Sequence, residues 1–283
     1  MSRERNPLLS VYALLVYAFL FLPIVILILF SFNASKDNFT WTGFTLRWYP
    51  ILFANEDMLE ALFKTLQVGL VAVVASTVLG SLLGIGLARM RNRFAGGLAE
   101  TLIILPMVAP EIIMGISLLL FFAQLFGARG SMTQISIAHI TFCLSYVAVV
   151  VRARAVSLDP HLVEAARDLG ASAAGAFRYV TLPLLAPAIA AGAMLAFALS
   201  FDDLIVTTFN AGPGSSTLPL YLYSRIRFGV TPEINAISTI IVAVTSVAIL
   251  LAWRLGRTRE QVRSDIERKA MEPVIDASGP AAA

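Results

Sequence analysis

The chain has 283 residues, 58% hydrophobic and 14% charged, with a formal net charge of +3. A soluble globular protein is roughly half apolar and roughly a quarter charged, so this composition, with a mean hydropathy of +0.81, excludes a water-soluble domain and makes lipid much of the solvent. The Lys and Arg residues lie in short loops instead of on one exposed face, which excludes a nucleic-acid binder. The single cysteine, Cys143, excludes a disulfide framework or a Cys/His zinc site and reads as a small core residue.

A bilayer core about 30 Å thick is crossed by about 20 apolar residues in a helix. Six runs meet that length or approach it: residues 9–32, 66–88, 101–126, 135–151, 184–209 and 237–253. Backbone in lipid must satisfy its own hydrogen bonds, so these runs are predicted to be helices. The alternating ten-residue pattern of a membrane β-barrel is absent. The expected fold is an all-α membrane protein with six transmembrane helices spread over residues 9–256.

Residues 1–8 precede the first run. Arg3 and Arg5 ahead of an apolar stretch suggest a signal peptide. The stretch is longer than a signal core and lacks a small-residue cleavage site, so it is expected to stay as a span. An outer loop is expected over 33–65. The second run carries Ala72, Ser76, Gly80, Gly84 and Ala88, a small-residue stripe at four-residue spacing. Such stripes let helix backbones approach closely in lipid. The third run has Pro106 and Pro110 near its start, followed by Glu111. Glu111 marks either a broken helix, a feature of transporter gates, or a carboxylate near the inner interface. In the fourth run His139 reads as a hydrogen-bonded packing residue. The fifth run carries a second stripe, Ala188, Gly192, Ala196 and Ser200, and is interrupted by Asp202 and Asp203. Beyond residue 257 the chain is polar, then rich in Ala, Pro and Gly, and reads as a charged helix fading into disorder.

Loop charges set the orientation. Arg3 and Arg5, the arginines between 89 and 93, those between 152 and 178, and the basic residues from 254 onward fall on one side. The other side holds only Lys36, Arg47, Lys64, Arg129, Arg225 and Arg227. The first side is therefore cytoplasmic, and both termini are expected there.

The cytoplasmic loop 152–183 is the most informative segment. Asp159 and Pro160 read as a helix start. Leu162, Ala165, Ala166 and Leu169 recur at helical spacing, and Gly170 can supply a left-handed cap. His161 is expected to be exposed. Glu164-Ala165-Ala166, three residues, Gly170, nine residues, Val180, one residue and Leu182-Pro183 resemble the EAA loop of bacterial ABC-importer permeases, with Val180 where that pattern has Ile.

That resemblance implies the type I (MetI-like) importer architecture. It also implies a coupling helix seated on a separate cytoplasmic ABC ATPase dimer, which binds ATP with Mg, and no cofactor on this chain. A second homologous permease subunit, an external solute-binding protein and the bacterial inner membrane complete the implied setting. The chain carries no Gly-x-x-x-x-Gly-Lys-Ser/Thr phosphate loop, so it is not itself expected to hydrolyse ATP.

The segments starting at Leu199, Leu218 and Gly229 resemble the second permease of spermidine/putrescine importers. Carboxylates at membrane depth are costly and usually functional. Asp203 follows Ser200 by three residues and shares its face, whereas Asp202 is turned away by about a third of a circle. Asp202, Asp203 and Glu111 can pair with ammonium groups, and Phe201, Tyr221 and Tyr223 can add cation–π contacts. Equally, the aspartates can cap helices or pair with Arg225 and Arg227. Another small solute (an amino acid, a phosphonate, ferric iron) is the alternative within this architecture. An ion-driven secondary transporter would leave the EAA loop unexplained, and no internal repeat supports it. No metalloprotease or nucleophile-elbow motif supports a membrane enzyme.

Overall fold

A computed structural model describes residues 7–36, 40–90, 92–127, 130–227, 229, 231–247 and 250. Arg3, Arg5, Arg91, Arg129, the last residues of the sixth run and the whole tail from 257 lie outside the described residues, as does the side chain of Arg93. Among the described residues the regular structure is helical, with one isolated bridge between Asn33 and Phe44. The chain divides into two compact units, Met1–Ala54 with Gly229–Ala283, and Asn55–Phe228.

In the first unit, helix α1 (Pro7–Phe30) is apolar on every side, and its most hydrophobic stretch buries nothing within the chain. A helix of that kind suits a lipid environment. Beyond it the chain turns on Asn33. The Asn33 Nδ2 donates to Thr40 O at 2.8 Å, its Oδ1 accepts from Thr42 N, and its carbonyl accepts from Trp48 Nε1 at 2.7 Å. Trp48 opens the short helix α2 (Trp48–Ala54).

In the second unit, α3 (Glu56–Ala88) starts at Glu56, ahead of the expected start at residue 66. Local signals explain the extension. Asn55 Oδ1 accepts from Met58 N at 3.1 Å, Glu56 and Asp57 sit at the positive end of the helix, and Glu60 pairs with Lys64 one turn on. At 33 residues α3 is about 50 Å long and overshoots a bilayer core.

The third run is two helices, α4 (Arg93–Val108) and α5 (Glu111–Phe126), bent by 108°. The cause is Pro110. A residue before proline is pushed out of the helical region, and Ala109 is extended at φ −63°, ψ 136°.

Helix α6 (Met132–Val156) is the core of this unit, with Ile135, Ala138, Cys143, Val147 and Val151 all fully buried. It is followed by α7 (His161–Asp168), α8 (Ala173–Ala176), a π-helical turn Phe177–Thr181, and α9 (Leu182–Asp202). The fifth run then breaks at Asp203 and resumes as α10 (Ile205–Asn210), and α11 (Leu218–Ile226) follows. The Thr65 hydroxyl accepts from Leu218 N at 2.7 Å and ties α11 to α3.

Both small-residue stripes close on α6. A Cβ at Gly80 would lie 2.9 Å from Leu144 O, one at Gly84 2.6 Å from Ala148 O, and one at Gly192 3.3 Å from the Val147 side chain. Backbone against backbone at this range is the close approach that small residues permit in lipid. Near the C-terminal end of α6 Arg152 forks onto Glu100 of α4, with Nη1 to Oε1 at 2.5 Å and Nη2 to Oε2 at 2.9 Å.

Four helices among the described residues are long and apolar enough to cross a bilayer, and the bent α4–α5 pair makes a fifth. The described part of the sixth run is the shorter apolar helix α12 (Pro232–Val247), in the first unit.

Candidate functional site

Two places in the second unit gather the residues singled out above. The first is the loop around α7. Asp159 Oδ1 accepts from His161 N at 3.0 Å just ahead of the helix. At the other end Gly170 takes φ +91°. Its N–H donates to Arg167 O at 2.9 Å, and Ala171 N donates to Ala166 O at 3.0 Å. Together these bonds form a complete Schellman cap. Ser172 then caps α8 by accepting from Gly175 N at 3.1 Å.

The loop is rooted through Leu158 and Phe177, which pack on the core formed by Ile85, Val151 and Leu185. Arg89 Nη2 donates to Thr181 Oγ1 at 3.4 Å. Leu182 and Pro183 open α9, and Pro183 sits in its first turn, where no N–H is required. Helix α7 itself buries no residue. Leu169 is 90% exposed, Glu164 and Ala165 are exposed, and Ala166 is half-buried. Helix α7 is thus amphipathic and capped at both ends, with Leu162 exposed and Val163 and Ala166 half-buried.

On α7, His161 Nδ1 lies 2.9 Å from Glu164 Oε2. That hydrogen bond, with the charges of Asp159 and Glu164, raises the His161 pKa above its ordinary value. The folded value lies above the unfolded one, so this pairing is fully present below the ordinary histidine range and is lost as pH rises through the raised value. An NMR titration of the imidazole is expected to give a raised pKa in the native chain. The Glu164→Gln variant should return it close to the ordinary value, and no change on that substitution would refute the pairing.

The second place is a cavity of about 530 Å³ between the breaks in the third and fifth runs. Pro110, Glu111 and Met114 come from the α4–α5 bend, Phe142 and Tyr146 from α6, and Asp202 to Val206 from the α9–α10 break. Glu111 and Asp202 thus line one space although they are distant in sequence.

Asp203 is also at the wall, but its carboxylate is otherwise engaged. Oδ1 accepts from Val206 N at 3.2 Å, and Oδ2 accepts from Thr207 N and Thr207 Oγ1, both at 2.8 Å. His139 Nε2 stands 3.2 Å from Oδ2. Asp203 therefore caps α10, the helix-capping alternative. His139 is buried among hydrogen-bonding partners, in line with a packing role.

The aromatic candidates lie elsewhere. Phe201 stacks on Phe197 at 5.5 Å. Tyr221 and Tyr223 on α11 lie under the guanidinium groups of Arg225 and Arg227, at 5.1 and 4.8 Å. None of the three lines the cavity. Arg225 pairs with Asp57 at 3.8 Å and Arg227 donates to Tyr223 Oη at 3.2 Å, so among the described residues these arginines meet Asp57 and Tyr223 instead of Asp202 or Asp203. The aromatic walls of the cavity, Phe142 and Tyr146, sit in an apolar run whose pattern does not distinguish them from core residues.

The family of binding-protein-dependent transport system inner membrane components matches residues 80–258. The putrescine transport system permease protein PotI of Escherichia coli K12 is 41% identical over 271 residues, covering 93% of this chain and 96% of PotI. The spermidine/putrescine transport system permease protein PotC of the same organism is 39% identical, covering 86% and 92%. Among solved structures, a chain of the bacterial alginate ABC transporter in complex with an alginate pentasaccharide-bound periplasmic protein superposes with a TM-score of 0.68 over 88% of this chain and 93% of that one, at 18% identity. A methionine ABC transporter, MetNI, in an inward-facing form aligns with a TM-score of 0.54 over 74% of this chain and 95% of that one, at 17% identity. The match spans more than half of the chain, and the two permeases align along nearly their whole length: this chain belongs to the family of binding-protein-dependent transport system inner membrane components.

Proposed function

We propose that this membrane permease carries polyamines, putrescine or spermidine, into the cell. An external binding protein delivers the solute, and a second homologous permease completes the pathway. The 152–183 loop seats α7 on a cytoplasmic ATPase dimer that binds ATP with Mg, while this chain binds no cofactor. Both termini face the cytoplasm, and the transmembrane domain covers residues 9–256.

The observation that carries the substrate assignment is the cavity at the two helix breaks. It sets the carboxylates of Glu111 and Asp202 and the rings of Phe142 and Tyr146 around one space. A polyamine is a flexible chain of ammonium groups separated by methylenes. Carboxylates neutralise the first and aromatic walls accommodate both. The names of PotI and PotC, with their high coverage, support the same substrate class.

The test is reconstitution with the partner permease, the ATPase and the binding protein in vesicles, followed by ATP-dependent uptake of labelled putrescine and spermidine. Glu111→Gln and Asp202→Asn are each expected to lower uptake about tenfold while the complex stays assembled, the scale of losing a hydrogen bond to a charged group. A complex that hydrolyses ATP but takes up neither polyamine would overturn the substrate assignment and leave the importer architecture standing.

A further inference from the structure

The His139–Asp203 network does work that neither the coupling loop nor the cavity carboxylates require. His139 lies within α6 and is 1% exposed. Its ring reaches both sides of the break in the fifth run. Nδ1 is 2.8 Å from Ser200 Oγ on α9. Nε2 is 3.0 Å from Thr207 Oγ1 on α10 and 3.2 Å from Asp203 Oδ2 in the break itself.

The polar hydrogens distribute over these atoms without conflict. The Ser200 hydroxyl donates to Nδ1, Nε2–H donates toward Thr207 and Asp203, and the Thr207 hydroxyl donates to Asp203 Oδ2. A buried polar group without a partner is costly, so a fully satisfied network of this kind holds as a unit.

Along the chain, α9 and α10 are joined only by Asp203, extended at ψ 123°, and Leu204 at φ −109°, ψ −39°. Two residues of backbone do not by themselves set the angle between two helices. The imidazole bridges them from outside. Asp202, the last residue of α9, lines the cavity, so its direction follows from where the break is held. The same geometry reaches the other broken run through α10. Phe209 packs on Gly115 of α5, and Asn210 Nδ2 donates to Gly115 O at 3.3 Å.

We infer that His139 is a positioning residue: a latch on α6 that holds the break of the fifth run at one angle and so aims Asp202 into the cavity. The latch stands on the geometry alone. Its consequence for uptake rests on the polyamine reading above.

The test uses the assembled complex in nanodiscs, with spin labels at Met194 on α9 and Thr208 on α10, both exposed on this chain. The native chain is expected to give one narrow distance distribution. His139→Leu, which removes both ring nitrogens, should broaden or shift it. His139→Gln, which keeps a donor and an acceptor, should restore much of it. In vesicles His139→Leu is expected to lower maximal polyamine uptake about tenfold, with Gln in between.

If His139→Leu prevents assembly, Ser200→Ala and Thr207→Val remove one arm each, and each should broaden the distribution. An unchanged distribution in every assembled variant would overturn the latch, whatever the substrate. A broadened distribution in a complex that carries no polyamine would uphold the latch and overturn the substrate reading instead.

Discussion

Replacing Gly170 by proline is expected to abolish uptake while leaving the chain inserted and assembled with its partner subunits. Gly170 ends α7 at φ +91° and donates its N–H to Arg167 O at 2.9 Å. Proline holds φ at about −65° and has no N–H, so it can meet neither requirement. A Cβ at this position meets nothing within 4 Å. The whole effect is therefore conformational: the Schellman cap is lost, and α7 no longer presents Glu164, Ala165 and Ala166 at a set angle. Gly170→Ala should give an intermediate loss, because an L-residue tolerates the left-handed region at a cost of about 1–2 kcal/mol. Uptake and binding-protein-stimulated ATP hydrolysis, measured side by side, distinguish loss of coupling from loss of assembly. Native uptake by the proline variant would remove the coupling role from this loop.

Gly84→Leu is expected to have the largest effect on stability. A Cβ there would stand 2.6 Å from Ala148 O and 3.0 Å from Arg152 N, both backbone atoms of α6 that cannot swing aside. Overpacking a well-filled interior typically costs about 1–3 kcal/mol, and here the neighbour that must yield is a whole helix. The shift would also disturb Arg152 and its fork onto Glu100. The expected result is a chain that fails to accumulate in the membrane or melts well below the native complex in detergent. Gly86, two residues on, is the control. It is exposed and a Cβ there meets nothing within 4 Å. Gly86→Ala should be neutral or stabilising by about 0.5–1 kcal/mol, because alanine loses less backbone freedom than glycine in a helix. Equal melting temperatures for Gly84→Leu and the native chain would contradict the tight α3–α6 approach.

Much of this protein was legible along the chain because lipid makes the rules local. Each span must satisfy its own backbone, so α1, α3, α6 and α9 follow from unbroken apolar runs. Pro110 announces the bend between α4 and α5, since its effect falls on the residue next to it. The caps around α7 are equally local, and the EAA pattern, Asp159 and Gly170 could be read by position alone.

The partners of the buried polar groups could not be read that way. Helical spacing placed Asp203 on the inward face with Ser200, and both do meet His139, but α9 ends at Asp202, and past a break the helical period does not say what a side chain bonds to. Asp203 therefore caps α10 and meets His139, while Asp202 reaches the cavity with Glu111. Phe142 and Tyr146 become cavity walls for the same reason: only the packing of α6 between two broken runs brings them there. The sequence by itself determined the apolar runs, the capped helix of the 152–183 loop and the family, because those depend on local backbone rules and fixed spacing. Only the tertiary structure decided which carboxylate stands open at the cavity and which is held by histidine, because that depends on contacts between separate helices, such as His139 of α6 with Asp203 at the break of the fifth run.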